Sequence, residues 1–238
     1  MRLVFLVALV ANVIAGQAVA QNGAGVFGPR VTAGHRLAEY RYTLSEPGDD
    51  LSSPWIQRLH YEAALNETFM WRFIGQMRNP GDGAEFDNIK GELFVDLGQI
   101  NNRWHTGMRF DAFLRNGDRP EQLGVHWTNQ FTLTERSFVR LVALTTYQFG
   151  ENGADTPRLS TRASYVRRFR DGWALSVEAY DQWGDFNALG QFDQRTHEIG
   201  PHLVIPVAGR WSVYLGGLWG ISDAAPDTSF RSRLTYTY

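Results

Sequence analysis

The stretch 68–79, "TFMWRFIGQMRN", reads as an extended strand with two unlike faces. Phe69, Trp71, Phe73 and Met77 share one side, while Arg72, Gln76 and Arg78 share the other. Successive side chains of a strand point to opposite faces, so a period of two marks a strand. Twelve residues is long for a soluble strand, which averages about five to six, and matches the roughly nine to eleven a tilted membrane-crossing strand needs. The flanking segments repeat the pattern. Trp55, Leu59, Tyr61, Ala63 and Leu65 alternate with Arg58, His60 and Glu62, and Ile89, Leu93, Val95 and Leu97 alternate with Lys90, Glu92 and Asp96.

Working outward, about twelve such strands are expected: 36–45, 55–66, 68–79, 86–97, 103–115, 122–133, 136–149, 158–169, 172–184, 192–205, 210–221 and 228–238. Their connections alternate in size. One set is tight, as in "LNET" (65–68), "GQINN" (98–102) and "RDG" (170–172). The other is longer and rich in Gly, Pro and Asp, as in "EPGDDLSSP" (46–54), "GENGADTP" (150–157) and "DFNALGQ" (185–191). Short turns at one rim and longer loops at the other are the habit of outer-membrane barrels. An even strand number puts both ends of the barrel at the short-turn rim. Trp71, Trp104, Trp173, Trp211, Tyr236 and Tyr238 cluster near that rim, and Trp55, Phe149, Trp183 and Trp219 near the other, as two interfacial aromatic girdles would. The fold expected for 36–238 is therefore an all-β, single, closed, antiparallel up-and-down transmembrane barrel. A soluble barrel of opposite polarity shows the same alternation, and strand length, loop asymmetry and aromatic placement argue against it.

Composition fits this reading. The first twenty residues, "MRLVFLVALVANVIAGQAVA", carry an early Arg2, an apolar run and small residues before Gln21, the pattern of a cleaved secretory signal peptide. There is no cysteine, so no disulfide framework. A net charge of −2 argues against a nucleic-acid partner. Of the 23 basic residues only Lys90 is a lysine, and arginine is the residue suited to planar, bidentate pairing with carboxylates and phosphates. The Gly-rich segment 21–35, "QNGAGVFGPRVTAGH", has no strand pattern and is expected either as a periplasmic lead-in or folded into the lumen.

The leader, the hairpin series and the terminal aromatic together resemble Gram-negative outer-membrane β-barrels. The resemblance implies an outer-membrane location in contact with lipid and lipopolysaccharide. It also implies a last strand, ending in Tyr238, that the barrel-insertion machinery reads. The stretch "LGGLWGISDAAPDTSFRSRLTYTY" (215–238) is similar to the last hairpin of the outer-membrane family named after a MetA phenol-degradation pathway, with Gly220 to Asp227 as the shared core. That likeness implies an outer-membrane barrel and a solute channel.

On the expected lumen face, turn positions set an approximate register. Counting places Glu62 beside Arg72, Arg72 beside Glu92 and Glu92 beside Arg109, with a second row Lys90, Asp111 and His126. Further round, Arg162 falls beside Glu178 and Glu178 beside Glu198. At the closing seam Arg231 and Arg233 point inward with Arg41, and Glu39 is the expected counter-charge. Arg58 and His60 complete the inward set. The functional reading is a charged constriction for a small polar or anionic solute. The alternative is a salt-bridged interior that keeps a closed barrel rigid while its loops act, structurally or in adhesion. About eight strands are filled by side chains and 16–18 leave a channel, so twelve allows either.

One polar row shares the lipid-facing parity: Thr145, Thr161, Asp181 and His197, expected side by side near the long-loop rim. It reads as a contact with lipopolysaccharide head groups, as a protomer contact, or as a lipid hydrolase site in which Asp181 orients His197 as base. No serine joins the row, so no catalytic residues are assigned and the chain is not expected to be an enzyme. The six histidines show no zinc-type spacing, and neither metal nor cofactor is expected. Asn66-Glu67-Thr68 matches a glycosylation acceptor but sits in a tight turn.

Overall fold

Long strands of period two can pair only with one another, and the sheet they form closes on itself. The computed structural model describes residues 25–45, 54–79, 83–150, 153, 156–169 and 172–238. The signal peptide expected over 1–20, most of the loop 46–54, parts of the loop 150–157 and the tip of the turn 170–172 lie outside the described residues. The strands are β1 Arg36–Ser45, β2 Trp55–Ala64, β3 Phe69–Asn79, β4 Glu85–Gln99, β5 Trp104–Arg115, β6 Glu121–Thr134, β7 Ser137–Phe149, β8 Arg158–Arg168, β9 Ala174–Asp185, β10 Ala188–Leu189, β11 His197–Ala208, β12 Trp211–Gly220 and β13 Thr228–Thr237.

Eleven strands each pair with the next long strand in sequence, and β13 returns to β1, from Leu37 opposite Thr237 to Ser45 opposite Ser229. Twelve antiparallel strands therefore form a ring, and β10 is a two-residue ribbon on β9. Closure removes both sheet edges, which no lipid could satisfy.

Polarity decides what the ring is for. Leu59, Phe73 and Trp127 on the outer face are 66%, 49% and 50% exposed. Arg72, Arg109 and His126 on the inner face are 3%, 3% and 2% exposed. A soluble barrel would be apolar inside, so this inversion defines a membrane-spanning barrel. Trp71, Trp173, Trp211 and Tyr238 are exposed at the short-turn rim, and Phe149 and Trp219 at the other. An arginine in place of Phe73 would put a charge against hydrocarbon midway along β3. Phe73→Arg should cost roughly 2–4 kcal/mol at the bilayer midplane, read as a lowered urea midpoint in lipid vesicles.

Expected boundaries differ from those found mainly at one strand. Residues 192–205 were expected as a strand, but Phe192–Gln194 wind a single 3-10 turn and β11 begins at His197. Bulges displace the ladders between Gln76 and Met77, Asp96 and Gly98, Thr132 and Thr134, Leu159 and Ser160, and Pro206 and Ala208. At Gly98 the backbone takes φ +95°, a conformation that favours glycine.

Residues 25–35 run inside the ring. Val26 is buried with the inward-facing Val142, Leu144, Tyr180 and Leu218. The Phe27 ring lies 3.9 Å from the Arg72 guanidinium carbon, 5.2 Å from that of Arg41 and 5.5 Å from that of Arg109. Val31 N donates to Asp96 Oδ2 at 3.1 Å, and His35 Nε2 meets Glu62 Oε1 at 2.8 Å.

Candidate functional site: the charged lumen

Two halves of the lumen differ. Across β2 to β6, cations and carboxylates alternate. Glu62 and Arg72 face each other in register and their side chains pair. Arg72 also faces Glu92, with Nη1 2.8 Å from Oε2. Lys90 Nζ then bridges Glu92 Oε1 at 2.6 Å and Asp111 Oδ2 at 2.8 Å. Arg109 Nη2 donates to His126 Nδ1 at 2.6 Å, which leaves the ring proton on Nε2, 2.7 Å from Asp111 Oδ2. Every one of these groups is buried from water, and each charge has an opposite neighbour, as low-dielectric burial requires.

Turn counting is two residues out at five strand pairs, four in the lumen and one in the outer row. Glu92 faces Asp111, not Arg109, which faces Phe94 and His126. The turn lies at 100–103 instead of 98–102, and the bulge at Leu97 adds one residue more. Arg109 still reaches Glu92 diagonally at 3.6 Å. Lys90, Asp111 and His126 do converge, again diagonally, because Lys90 faces Phe113 and Asp111 faces Gly124. Arg162 faces Tyr180, Ser164 faces Glu178, and Glu198 faces Tyr180 while Glu178 faces Gly200. Glu178 and Glu198 are therefore not opposed.

At the seam, Glu39 is taken up by Arg41 on its own strand and by Thr235 Oγ1, which donates at 3.0 Å. His60 Nδ1 stands 3.6 Å from the same carboxylate. The counter-charge of Arg231 is Glu178, 3.5 Å away on β9, not Glu39. Arg231 Nη1 donates to Tyr180 Oη at 2.9 Å, and Tyr180 and Tyr214 both donate to Glu178 Oε2, at 2.5 and 3.2 Å. The Arg233 guanidinium lies over the Tyr214 ring at 3.8 Å, and the His202 ring stacks on the same tyrosine at 4.8 Å.

The second half, β7 to β13, is richer in cations than in carboxylates. Arg58 leans from β2 onto Gln76 Oε1. Arg140 Nε donates to Gln130 Oε1 at 3.0 Å. Among the described residues no carboxylate lies within ion-pair distance of Arg58, Arg140, Arg162 or Arg233. Sequence reasoning missed Arg140, although its parity on β7 is inward. It also missed the inward Val142 and Leu144, which a strand apolar on both faces signals, and Phe27, whose partners lie far along the chain. Among the described residues no three His, Asp or Glu side chains are grouped to hold a metal.

The outer polar row is a folded knot, not an open surface. Asp181 faces both Thr161 and His197, but Thr145 faces Leu159 because Thr161 pairs with Ala143. Asp181 Oδ1 meets His197 Nδ1 at 2.8 Å, and Thr161 Oγ1 donates to Oδ2 at 3.2 Å. Phe192 lies flat on the His197 ring at 4.1 Å, and Trp183 packs edge-on at 4.9 Å. His197 is fully buried, so it offers no open site for a lipid head group. Phe192→Ala should expose it, seen as a much faster reaction of His197 with diethylpyrocarbonate.

A closed, inverted, twelve-stranded ring around a charged lumen defines a membrane-spanning β-barrel. Solved structures share the architecture. The KdgM porin in complex with disordered oligogalacturonate is similar at TM-score 0.63 and 10% identity, covering 85% of this chain and 99% of that one. The NanC porin is similar at TM-score 0.60 and 8% identity, covering 84% and 98%. An outer-membrane channel from Pseudomonas putida F1 is similar at TM-score 0.62 and 12% identity, covering 93% and 100%. At these identities the likeness is one of fold. No family model and no curated protein sequence matches the chain.

Proposed function

We propose that the chain is an outer-membrane channel for passive passage of small polar or anionic solutes. The observation that carries this reading is the set Arg58, Arg140, Arg162 and Arg233, inward-facing cations with no carboxylate partner among the described residues. All four are half-buried, so their charge is only partly solvated, and a mobile anion in the lumen would be drawn to them. The KdgM structure contains an oligogalacturonate, itself a polyanion, in a barrel of the same architecture. Outside the ring, the aromatic rims meet lipid and lipopolysaccharide, and β13 with Tyr238 is the segment for the insertion machinery. The buried His197 argues against lipid hydrolysis.

Purified protein in planar bilayers under a salt gradient should give a small, anion-selective conductance. Arg58→Gln with Arg162→Gln should move the reversal potential toward cation selectivity. Folded protein, verified by heat-modifiable gel mobility, that passes no current above background would sink the channel reading. The second reading, a closed barrel acting through its loops, is favoured by Val26, Leu144 and Leu218 meeting inside the lumen.

A further inference from the structure

We infer that the lumen holds a site for a small carboxylate with an apolar body, and that Gly25 to Phe27 occupies that site in this structure. The inference rests on the channel reading for its biological role, but binding can be measured without conduction.

Three of the unpaired guanidiniums converge on this tripeptide. Arg162 Nη1 donates to Gly25 O and Arg140 Nη1 to Val26 O, each at 3.4 Å. A Cβ on Gly25 would stand 2.8 Å from Arg233 Nη2, and that nitrogen has no hydrogen-bond partner among the described residues. Contacts of 3.4 Å are at the long limit for N–H···O. A carboxylate would close to about 2.7–2.9 Å and gain charge-assisted bonds. The carbonyls thus fill an anion position poorly.

Directly beside these arginines the lumen is apolar. Val142, Leu144 and Leu218 point inward and bury Val26 together with Tyr180. Leucine facing into a membrane barrel has no use in a lumen built only for hydrated sugars, because a polyol hydroxyl set against it loses its hydrogen bonds. Phe27 adds a ring on the Arg72 guanidinium, a contact an aromatic body can replace. Anionic head positions and an apolar body position therefore adjoin. A sugar acid fits the first and not the second, and a neutral alcohol fits the second and not the first.

The test uses the folded protein in detergent micelles, titrated calorimetrically with isocaproate, with galacturonate and with the alcohol of the isocaproate skeleton. A Val26→Gly, Phe27→Gly variant empties the side-chain positions and should bind isocaproate more tightly than the parent by about tenfold. Isocaproate should exceed both comparison ligands, and Leu144→Asn should erase its advantage over galacturonate. Leu218→Asn provides a second probe if Leu144→Asn does not reach the heat-modifiable folded form. Galacturonate binding as tightly as isocaproate overturns the apolar half of the site. Alcohol binding as tightly overturns the anionic half, and no isocaproate binding to the folded variant overturns both. Conductance is scored separately. Binding without current leaves the site standing and removes the channel reading, whereas current without isocaproate preference does the reverse.

Discussion

A barrel whose chain begins at Arg36 is expected to conduct several-fold more current per channel than the protein that retains residues 25–35. The segment lies across the lumen and is held at both ends. At one end Val26 is packed among Val142, Leu144 and Leu218, and at the other His35 O accepts from Ala64 N at 2.8 Å while the His35 ring meets Glu62. Between them Phe27 rests on Arg72, Pro29 sits against the Gly107 backbone of β5, and Val31 is tied to Asp96. None of these contacts contributes to the inter-strand ladder, so the ring can close without them. Gly28 shows how tight the passage is, since a Cβ there would stand 2.7 Å from Arg140 Nε. A smaller change, Phe27→Gly, removes the cation–π contacts to Arg72, Arg41 and Arg109, each worth about 0.5–2 kcal/mol, and should lengthen open times without the full rise in conductance. Single-channel recording separates the two effects. Unchanged conductance in the shortened chain would mean that the segment does not limit the pore. No current from either chain would favour the closed, loop-acting barrel.

How much of this was legible beforehand depends on the range of the interactions. Strand identity is local: the alternation in 68–79 fixes β3 at Phe69–Asn79 without any partner. Closure follows, because an even number of long antiparallel strands leaves β1 and β13 as each other's natural neighbours. Register is less local. A single extra residue at Leu97 and a turn one or two residues later than counted moved Arg109 from Glu92 to Phe94. Residues 192–196 look like strand by composition, but Phe192–Gln194 wind a 3-10 turn that lays Phe192 flat on the His197 ring. Phe27 was beyond reach because its partners, Arg41, Arg72 and Phe94, sit on three different strands. The lumen charges were legible as a set, through parity, while their pairing was not.

The second large effect concerns Arg72. Its guanidinium pairs with both Glu62 and Glu92 and lies over the rings of Phe27 and Phe94, at 3.9 and 4.7 Å. It is 3% exposed, and Glu62 and Glu92 are 6% and 5% exposed. Arg72→Met keeps volume but strands two carboxylates in a water-poor interior. Breaking a buried pair by removing one partner costs about 3–5 kcal/mol, so the urea midpoint of the folded barrel should fall sharply. Glu62→Gln, Arg72→Met and Glu92→Gln combined should recover most of that loss, because neutral amides no longer need the cation. Arg72→Lys should fall between, since an ammonium retains charge but loses the planar fork and its stacking on Phe27. A single Arg72→Met variant as stable as the parent would show that Lys90, which also reaches Glu92 at 2.6 Å, and His35, which also reaches Glu62 at 2.8 Å, suffice to hold the two carboxylates. In that case the ladder is a redundant network, and Arg72 is free to serve the lumen's contents instead of its walls.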